Sequence, residues 1–267
     1  MRASSIAALT RQLPLPGRLL PRFLSVARKL VYPDGPVAVH SRLGGFDMEI
    51  RDYADLVQRH IFWLGYWEPR ETLLFKRLLR PGDVVIDAGA NVGWFTLLAA
   101  ALVGVQGHVY AIEPWIPNIR HLRSNIVLNR FTNVDIIEAA LDSSAGRADF
   151  GVPWDSGSGS LLAANHPRKQ VVTTCKLDDI LGEMAAGQRI RLLKIDIQGT
   201  EARAFAGAAR SLREHQIENI LVEAGEVMSL QMLRDYGYRL YRVGFRRGAE
   251  LKSIDTVRSW ENVLAVS

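Results

Sequence analysis

Short apolar runs alternate with longer amphipathic stretches along most of the chain after residue 83. Apolar runs bounded by glycine, proline or charge are typical of buried strands, and amphipathic stretches are typical of helices. The pattern predicts strands at 84–88, 108–113, 134–140, 190–196, 217–223, 238–243 and 262–266, and helices at 94–103, 117–129, 201–213 and 229–236. Strands joined by helices form a mostly parallel sheet with helices on both faces. We therefore predict an α/β fold whose sheet has about seven strands.

The pattern before residue 84 is less regular and predicts a short N-terminal extension. Alternating apolar residues and glycines at 34–50 predict a β-rich segment, and an aromatic-rich stretch at 53–67 ends in GYWEP. Residues 71–79 are predicted to form a helix. We divide the chain into a basic arm (1–33), a segment that leads into the domain and carries the first helix (34–80), and the main α/β domain (81–267).

Serine and glycine are concentrated at residues 151–159, between strand-like stretches at 147–152 and 170–176. This composition favours a flexible loop, and the flanking strands keep the loop inside the main domain. A lid over a binding site is one role that such a loop could have.

The stretch Asp87–Gly93, DAGANVG, directly follows the apolar run 84–86 and precedes a predicted helix. Gly89 and Gly93 have no Cβ, so the backbone can turn tightly and approach a ligand, while the helix N-terminus presents N–H groups to it. Such a turn suits a carboxylate or a phosphate. Ala90 and Asn91 stand where a dinucleotide fingerprint needs its middle glycine, which disfavours pyrophosphate. A simple tight turn in another α/β protein is the alternative.

A second predicted strand, 108–112, ends at Glu113, about twenty residues after Gly93. A carboxylate at the carboxyl end of the strand beside a glycine turn lies where the hydroxyl groups of a nucleoside bind. We therefore predict that Glu113 binds a ribose. An exposed acid at a strand end, without a ligand, is the alternative.

The segment LKIDIQGTE delivers Asp196 to the carboxyl end of another buried strand. A charged group at the end of a buried strand is costly unless it is hydrogen-bonded or used. Asp196 is therefore either a structural acid that caps the next helix or a residue that meets cofactor or substrate. We favour the second interpretation.

Several of these segments occur in an order that resembles the FkbM family of methyltransferases. The resemblance covers about residues 60–224, includes the Gly-aromatic-Glu element in GYWEP, and rests on DAGANVG, YAIEP, SNIVLNRFTNV, LDDIL (177–181), LKIDIQGTE and ILVEA (220–224). It implies a Rossmann-like class I methyltransferase fold that uses S-adenosyl-L-methionine. It also implies methyl transfer to a hydroxyl of a sugar, glycolipid or secondary metabolite, with residues 81–267 as the catalytic domain.

The resemblance assigns roles to particular residues. DAGANVG is similar to motif I of class I methyltransferases, in which the acid helps to hold the methionine part of the cofactor. The expected cofactor-binding residues are Glu68, Asp87, Gly89, Ala90, Asn91, Gly93, Glu113, Asp142 and Asp196. The family commonly has Asp-x-Glu-Gly where this chain has Gln198 in place of the glutamate. That departure argues against a metal carboxylate at this position, and we expect no metal.

Methyl transfer from a sulfonium to an oxygen requires in-line approach, exclusion of water and removal of the hydroxyl proton. Asp196 is the first candidate for the general base because its strand points to the reactive end of the cofactor. Glu201 and His166 are weaker candidates, since a first-turn acid usually stabilises its helix and His166 belongs to a predicted loop.

The distribution of charge limits the classes of partner that the chain is expected to bind. The chain of 267 residues has a net charge of +5, but the arm carries six basic residues and no acid, so 27 basic residues face 28 acids elsewhere. This distribution argues against nucleic acid as a partner of the domain. The arm could contact an anionic membrane or pack on the domain.

No apolar run approaches the roughly 20 residues of a membrane span. The single cysteine, Cys175, fits a reducing compartment, so we expect a cytoplasmic protein that is at most peripheral to the membrane.

Two other function classes remain open at this level. An NAD-dependent oxidoreductase would use the same turn and Glu113, although the missing middle glycine disfavours it. A catalytically silent module could keep the fold and the cofactor turn, and Gln198 is the residue that supports this alternative.

Overall fold

The computed structural model describes residues 7, 32–151, 159–161, 168–184, 188–244, 248–258 and 261–267. Most of the basic arm, residues 152–158 of the serine- and glycine-rich loop, and His166 lie outside the described residues. The predictions that concern them therefore stay predictions.

Strands and helices alternate along the described chain as the apolar pattern predicts. The strands are β1 (Val37–His40), β2 (Asp47–Ile50), β3 (Val84–Ala88), β4 (His108–Ile112), β5 (Val134–Ile137), β6 (Ala140–Leu141), β7 (Gly146–Gly151), β8 (Lys169–Cys175), β9 (Leu192–Ile195), β10 (Asn219–Glu223), β11 (Arg239–Arg242) and β12 (Asn262–Val266). The helices are α1 (Leu56–Leu64), α2 (Pro69–Leu78), α3 (Trp94–Val103), α4 (Ile116–Leu128), α5 (Leu177–Glu183), α6 (Glu201–Ala206), α7 (Ala209–Arg213) and α8 (Val227–Asp235), with a 3₁₀ turn at Ile254–Thr256.

The central sheet has seven strands in the order β11-β12-β10-β9-β3-β4-β5. The five strands from β10 to β5 are parallel, whereas β12 runs antiparallel to both β10 and β11. The chain moves outward from β3 to β4 and β5 on one side, and from β9 to β10 on the other. The direction therefore reverses between β3 and β9, which is where such sheets bind ligands. This arrangement confirms the predicted class I methyltransferase fold.

Most of the core consists of two apolar layers, one on each face of the sheet. Alternating residues of β3 point to opposite faces, so Val85 joins one layer and Ile86 joins the other. The Val85 layer also contains Met48, Trp63 and Phe75 from the segment 34–80. This segment and the sheet therefore share one core, and β2 packs directly on α4.

The structure corrects three details of the predicted elements. The aromatic-rich stretch 53–67 contains α1, which Asp55 caps by accepting the N–H of Gln58. The strand predicted at 134–140 is split, because Ala140–Leu141 leaves the central sheet and pairs with β8 in a separate sheet of order β6-β8-β7. The helix predicted at 201–213 is broken at Gly207, whose Cα packs so closely on the Asp142 carbonyl oxygen that a Cβ would lie 2.2 Å from it.

None of the helices among the described residues has the length and the apolar character that a membrane-spanning helix needs. Cys175 ends β8 half-buried, and burial raises the pKa of its thiol to about 11. A thiol with this pKa stays protonated at neutral pH and packs as a small apolar side chain.

Candidate active site

Two clefts meet at the carboxyl ends of β3, β4 and β9. Gly89, Asn91 and Asp196 line both clefts. Because the clefts share these residues, one elongated ligand that passes over the turn after β3 can occupy both.

The turn after β3 is held in a conformation that suits close approach. Gly89 has φ of +79° and packs on β9, where a Cβ would lie 2.0 Å from the Asp196 carbonyl oxygen. Gly93 has φ of +104° and begins α3. The Asn125 amide on α4 donates to the Val92 carbonyl at 2.8 Å and fixes the turn from outside. The glycines predicted from the sequence are therefore required by both backbone conformation and space.

Asp87 lies beneath the smaller cleft with an incomplete set of partners. Its Oδ2 accepts the Thr96 hydroxyl at 2.6 Å, whereas its buried Oδ1 has no hydrogen-bond partner among the described residues. Burial raises the pKa of Asp87, and the Lys194 ammonium opposes that shift. Buried polar atoms are nearly always paired, so the free oxygen fits a donor supplied by a ligand. The ammonium of a bound amino-acid group has the required chemistry.

Glu113 closes the larger cleft at the end of β4. Its carboxylate accepts the N–H of Asn91 and of Trp115, each at 2.9 Å, and a long contact of 3.4 Å from the Asn118 amide. Burial raises the pKa of Glu113 to about 7, and these donors oppose the shift. A carboxylate has about four acceptor positions. One position is left for a hydroxyl of a ribose lying in the cleft, so the geometry fits the predicted role.

Apolar side chains form part of the wall of the larger cleft. They come from the end of β4, from β6 and from the stretch around β7, and comprise Ile112, Ala140, Leu141, Phe150 and Leu161. A flat aromatic base can pack in such a slot. Asp142, predicted to bind the cofactor, lies behind this wall, where it is buried and paired with Arg203 Nε at 2.9 Å. Its contacts support the wall and do not reach into the cleft.

A buried lysine lies between the carboxylates of the site. Lys194 on β9 is paired in register with Asp87 on β3, and its Nζ is 3.3 Å from Asp196 Oδ2 and 5.0 Å from the Phe95 ring centroid. Burial lowers the pKa of Lys194, but Asp196, Asp87 and Glu68 outweigh it and hold the pKa above its usual value. The site therefore contains a fixed ammonium.

Asp196 lies where the two clefts join and is kept ionised. Burial raises its pKa, yet Lys194 and the hydrogen bond from Gln198 outweigh burial and hold the pKa below its usual value. The Gln198 amide donates to Asp196 Oδ1 at 2.8 Å. The carboxylate is thus available at neutral pH beside the turn that carries Gly89 and Asn91.

Glu201 and Glu68, which were also predicted as site residues, lie near Asp196 and Lys194. Glu201 is fully buried, and its Oε1 accepts the N–H of Ile197 at 3.1 Å and of Gly199 at 3.3 Å. These bonds hold the turn after β9 and leave Glu201 away from the cleft linings. Glu68 precedes α2 with φ of +38°. Burial raises its pKa to about 8, and the Lys194 ammonium opposes that shift.

Within the described residues, no three His, Cys, Asp or Glu side chains are grouped to hold a metal ion.

The sequence reasoning missed Lys194 and Glu223. Lys194 is the charged residue inside a fully buried four-residue strand, which is a signal because an unpaired charge there would be costly. Glu223 ends β10 just as Asp196 follows β9, and the same argument applies to it. Trp67 was also missed, although it lines the smaller cleft and belongs to the GYWEP element.

The sequence is similar to a known family and to several known proteins. A family model described as "Methyltransferase FkbM domain" matches residues 87–240, more than half of the chain. The chain is 29% identical over 203 residues to 31-O-demethyl-FK506 methyltransferase FkbM of Streptomyces tacrolimicus, covering 60% of this chain and 74% of that protein. It is 28% identical over 165 residues to Methyltransferase 1 of Beauveria bassiana, covering 52% of this chain and 63% of that protein.

Among solved structures, a crystal structure of methyltransferase FkbM from Methylobacillus flagellatus aligns with a TM-score of 0.46 at 16% identity, covering 94% of this chain and 59% of that chain. The chain thus spans less than two thirds of this protein and of the Beauveria bassiana relative. The match of the family model includes both the DAGANVG turn and the LKIDIQGTE segment. The chain belongs to the FkbM family of methyltransferases, and its cofactor is S-adenosylmethionine.

Proposed function

We propose that this protein is an O-methyltransferase that methylates a hydroxyl group of a sugar, glycolipid or secondary metabolite. The observation that carries the proposal is the position of Asp196, an ionised carboxylate where the two clefts join. A hydroxyl must lose its proton as it is methylated, so a carboxylate at that point has a chemical use.

Binding would use both clefts. Gly89 and Gly93 leave room for the cofactor to cross the turn, Glu113 would hold its ribose hydroxyls, and Asp87 would accept its ammonium group. The methionine part then lies in the smaller cleft and the nucleoside in the larger. S-adenosylmethionine supplies a methyl group activated by a positively charged sulfur.

The remaining chemistry belongs to the side chains at the junction. Asp196 would orient the acceptor hydroxyl and take its proton as the new bond forms. Lys194 keeps Asp196 ionised and fixes its position, and Glu201 holds the turn that follows. Positioning of the two reactants accounts for much of such an acceleration, on the order of 7–11 kcal/mol in well-oriented cases.

The acceptor class is supported by a relative and by the charge distribution. The name of the Streptomyces tacrolimicus relative gives 31-O-demethyl-FK506 as its substrate. Outside residues 1–33, 27 basic residues face 28 acids, so no excess of positive charge favours a polyanion. A small molecule or a glycan therefore fits better than a nucleic acid. Contact of the basic arm with an anionic membrane and a cytoplasmic location stay predictions.

The test is to find where the methyl group goes. S-adenosylmethionine labelled with ¹³C at the methyl group is incubated with the protein and an extract of the cells that produce it, and the products are examined by NMR. The proposal predicts a labelled methyl ether. A methyl on nitrogen or carbon contradicts it, and cofactor binding without any labelled product identifies a catalytically silent module. A reaction containing excess S-adenosylhomocysteine is the control.

A further inference from the structure

Glu223 stands beside Asp196 and has no role in the mechanism above. The strands β9 and β10 pair in parallel with Val222 opposite Ile195, so the next residues, Glu223 and Asp196, lie side by side where the strands end. Side chains alternate along each strand, so both acids project to the face that carries Lys194. Two carboxyl groups therefore meet next to the point where the clefts join.

Gln198 links the two acids. Its side-chain amide donates to Asp196 Oδ1 at 2.8 Å and to Glu223 Oε2 at 3.3 Å. The backbone of Gln198 has φ of +58°, and its carbonyl accepts the Ser160 hydroxyl at 2.8 Å. A glutamate at this position would add a third acid, whereas the amide of Gln198 donates to both and holds them together.

The charges around the pair are unequal. Lys194 lies 3.3 Å from Asp196 Oδ2 and balances its charge. The charged or titratable groups that face Glu223 are Lys194 on β9, Asp196 at the end of β9, Glu201 on α6 and Glu68 before α2. Burial and then the negative charge of Asp196 raise the pKa of Glu223 to about 8, with Lys194 opposing. Two adjacent carboxylates do not both ionise readily. At neutral pH the pair therefore holds one proton, which Glu223 carries and shares with Asp196 in a hydrogen bond.

We propose that Asp196 and Glu223 act as one base in the O-methyl transfer, with Glu223 as the half-buried partner that, when ionised, receives the proton from Asp196 and returns it to solvent. This inference rests on the proposed function. The acceptor O–H bond breaks, its electron pair forms the new O–CH₃ bond, and the CH₃–S bond breaks with its electrons remaining on sulfur. The proton passes to the carboxylate pair.

A dependence of rate on pH follows from this arrangement. When Glu223 is protonated, a second proton must go onto Asp196, which Lys194 makes a weak base. When Glu223 is ionised, the pair accepts the proton more readily. Methyl transfer should therefore rise with pH through the ionisation of Glu223 and level off above it.

The first test observes the pair without needing an acceptor. The side-chain carboxyl carbons of ¹³C-labelled full-length protein are titrated by NMR, with and without S-adenosylhomocysteine. Because Glu68 and Glu113 also have raised pKa values, the signal of Glu223 is identified by its loss in Glu223→Gln. We expect this signal to titrate near pH 8 in the native protein and to move to lower pH in Asp196→Asn. The exposed Glu250→Gln is the matched control and should leave that signal unchanged. If the signal that Glu223→Gln removes titrates below pH 6 in the native protein, the inference is wrong, wherever the methyl group is found.

The second test measures the pH profile of methyl transfer with the acceptor identified by ¹³C labelling. Glu223→Gln should remove the rise with pH and lower the rate at pH 8.5 by about 10²-fold, as for the loss of a general base. Gln198→Glu, which adds a carboxylate, should shift the rise to higher pH, and it serves if Glu223→Gln does not fold. An unchanged profile in both variants overturns the inference. A methyl group on nitrogen or carbon overturns the proposed function instead, and the carboxyl titration distinguishes the two failures.

Discussion

Replacing Lys194 with Met tests whether the buried ammonium holds the site together. Lys194 Nζ lies 3.3 Å from Asp196 Oδ2, and the exposed fractions of the two side chains are 7% and 28%. At that distance, and with an effective dielectric constant of about 20, the attraction amounts to about 5 kcal/mol. Breaking a buried ion pair by removing one partner usually costs about 3–5 kcal/mol. We expect Lys194→Met to lower the free energy of unfolding at pH 8 by this amount.

The loss of stability in Lys194→Met should be larger at high pH than at low pH. In the native protein the pKa of Asp196 lies below its usual value, so this group stabilises the fold above its unfolded pKa, about 3.9, and the contribution disappears as the pH falls. Without Lys194 the same carboxylate and Asp87 have raised pKa values, and their burial in ionised form becomes more costly as the pH rises. The difference between variant and native protein should therefore be smaller at pH 5 than at pH 8.

The measurement is urea unfolding at both pH values, with Lys169→Met as the matched control. Lys169 is also on a strand, but its pair with Asp149 spans 3.5 Å and is largely exposed. Such pairs contribute about 0–1 kcal/mol. If Lys194→Met loses no more stability than the control, or loses the same amount at pH 5 as at pH 8, the buried ammonium does not have the role assigned to it.

Three other outcomes are expected. Glu113→Gln should weaken S-adenosylhomocysteine binding in calorimetry by about 1.5–3 kcal/mol, because the amide has one acceptor oxygen for the ribose and for the N–H of Asn91; unchanged affinity excludes a ribose contact. Gly89→Ala should abolish binding and lower the melting temperature, because a Cβ would lie 2.0 Å from the Asp196 carbonyl oxygen; full binding would show that the turn tolerates a side chain. Vesicles of anionic lipid should retain the full-length protein at low salt and release it at high salt, and removal of residues 1–31 should abolish retention; equal retention by neutral vesicles contradicts an electrostatic contact.

Much of the fold could be predicted because its signals are local. The strand β3 is an apolar run followed by a glycine turn, and β4 ends at an acid at the expected distance. The departure of Ala140–Leu141 from the central sheet could not be predicted from the run 134–140, because it depends on pairing with β8 about 30 residues later. The break at Gly207 likewise follows from packing on the Asp142 carbonyl, a contact between distant parts of the chain.

The candidate site was predicted in part for the same reason. Asp87 lies one residue before the end of β3, and Glu113 and Asp196 directly follow β4 and β9, so sequence position alone brings them to one edge of the sheet. The roles of Lys194 and Glu223 depend on the register of β3, β9 and β10 and on the conformation of the Gln198 turn. Those features are tertiary, so the strand positions of Lys194 and Glu223 indicate a buried charge in the sequence but do not indicate the role of either residue.

The most direct test of the account compares catalysis with cofactor binding in Asp196→Asn. The amide keeps the shape of the side chain but removes the charge and the capacity to accept a proton. We expect methyl transfer to the identified acceptor to fall by about 10² to 10⁴. The affinity for S-adenosylhomocysteine, whose sulfur is uncharged, should stay within about threefold, an energy difference below 1 kcal/mol. Methyl transfer at the native rate by a folded Asp196→Asn protein would contradict the assignment of Asp196 as the group that takes the hydroxyl proton.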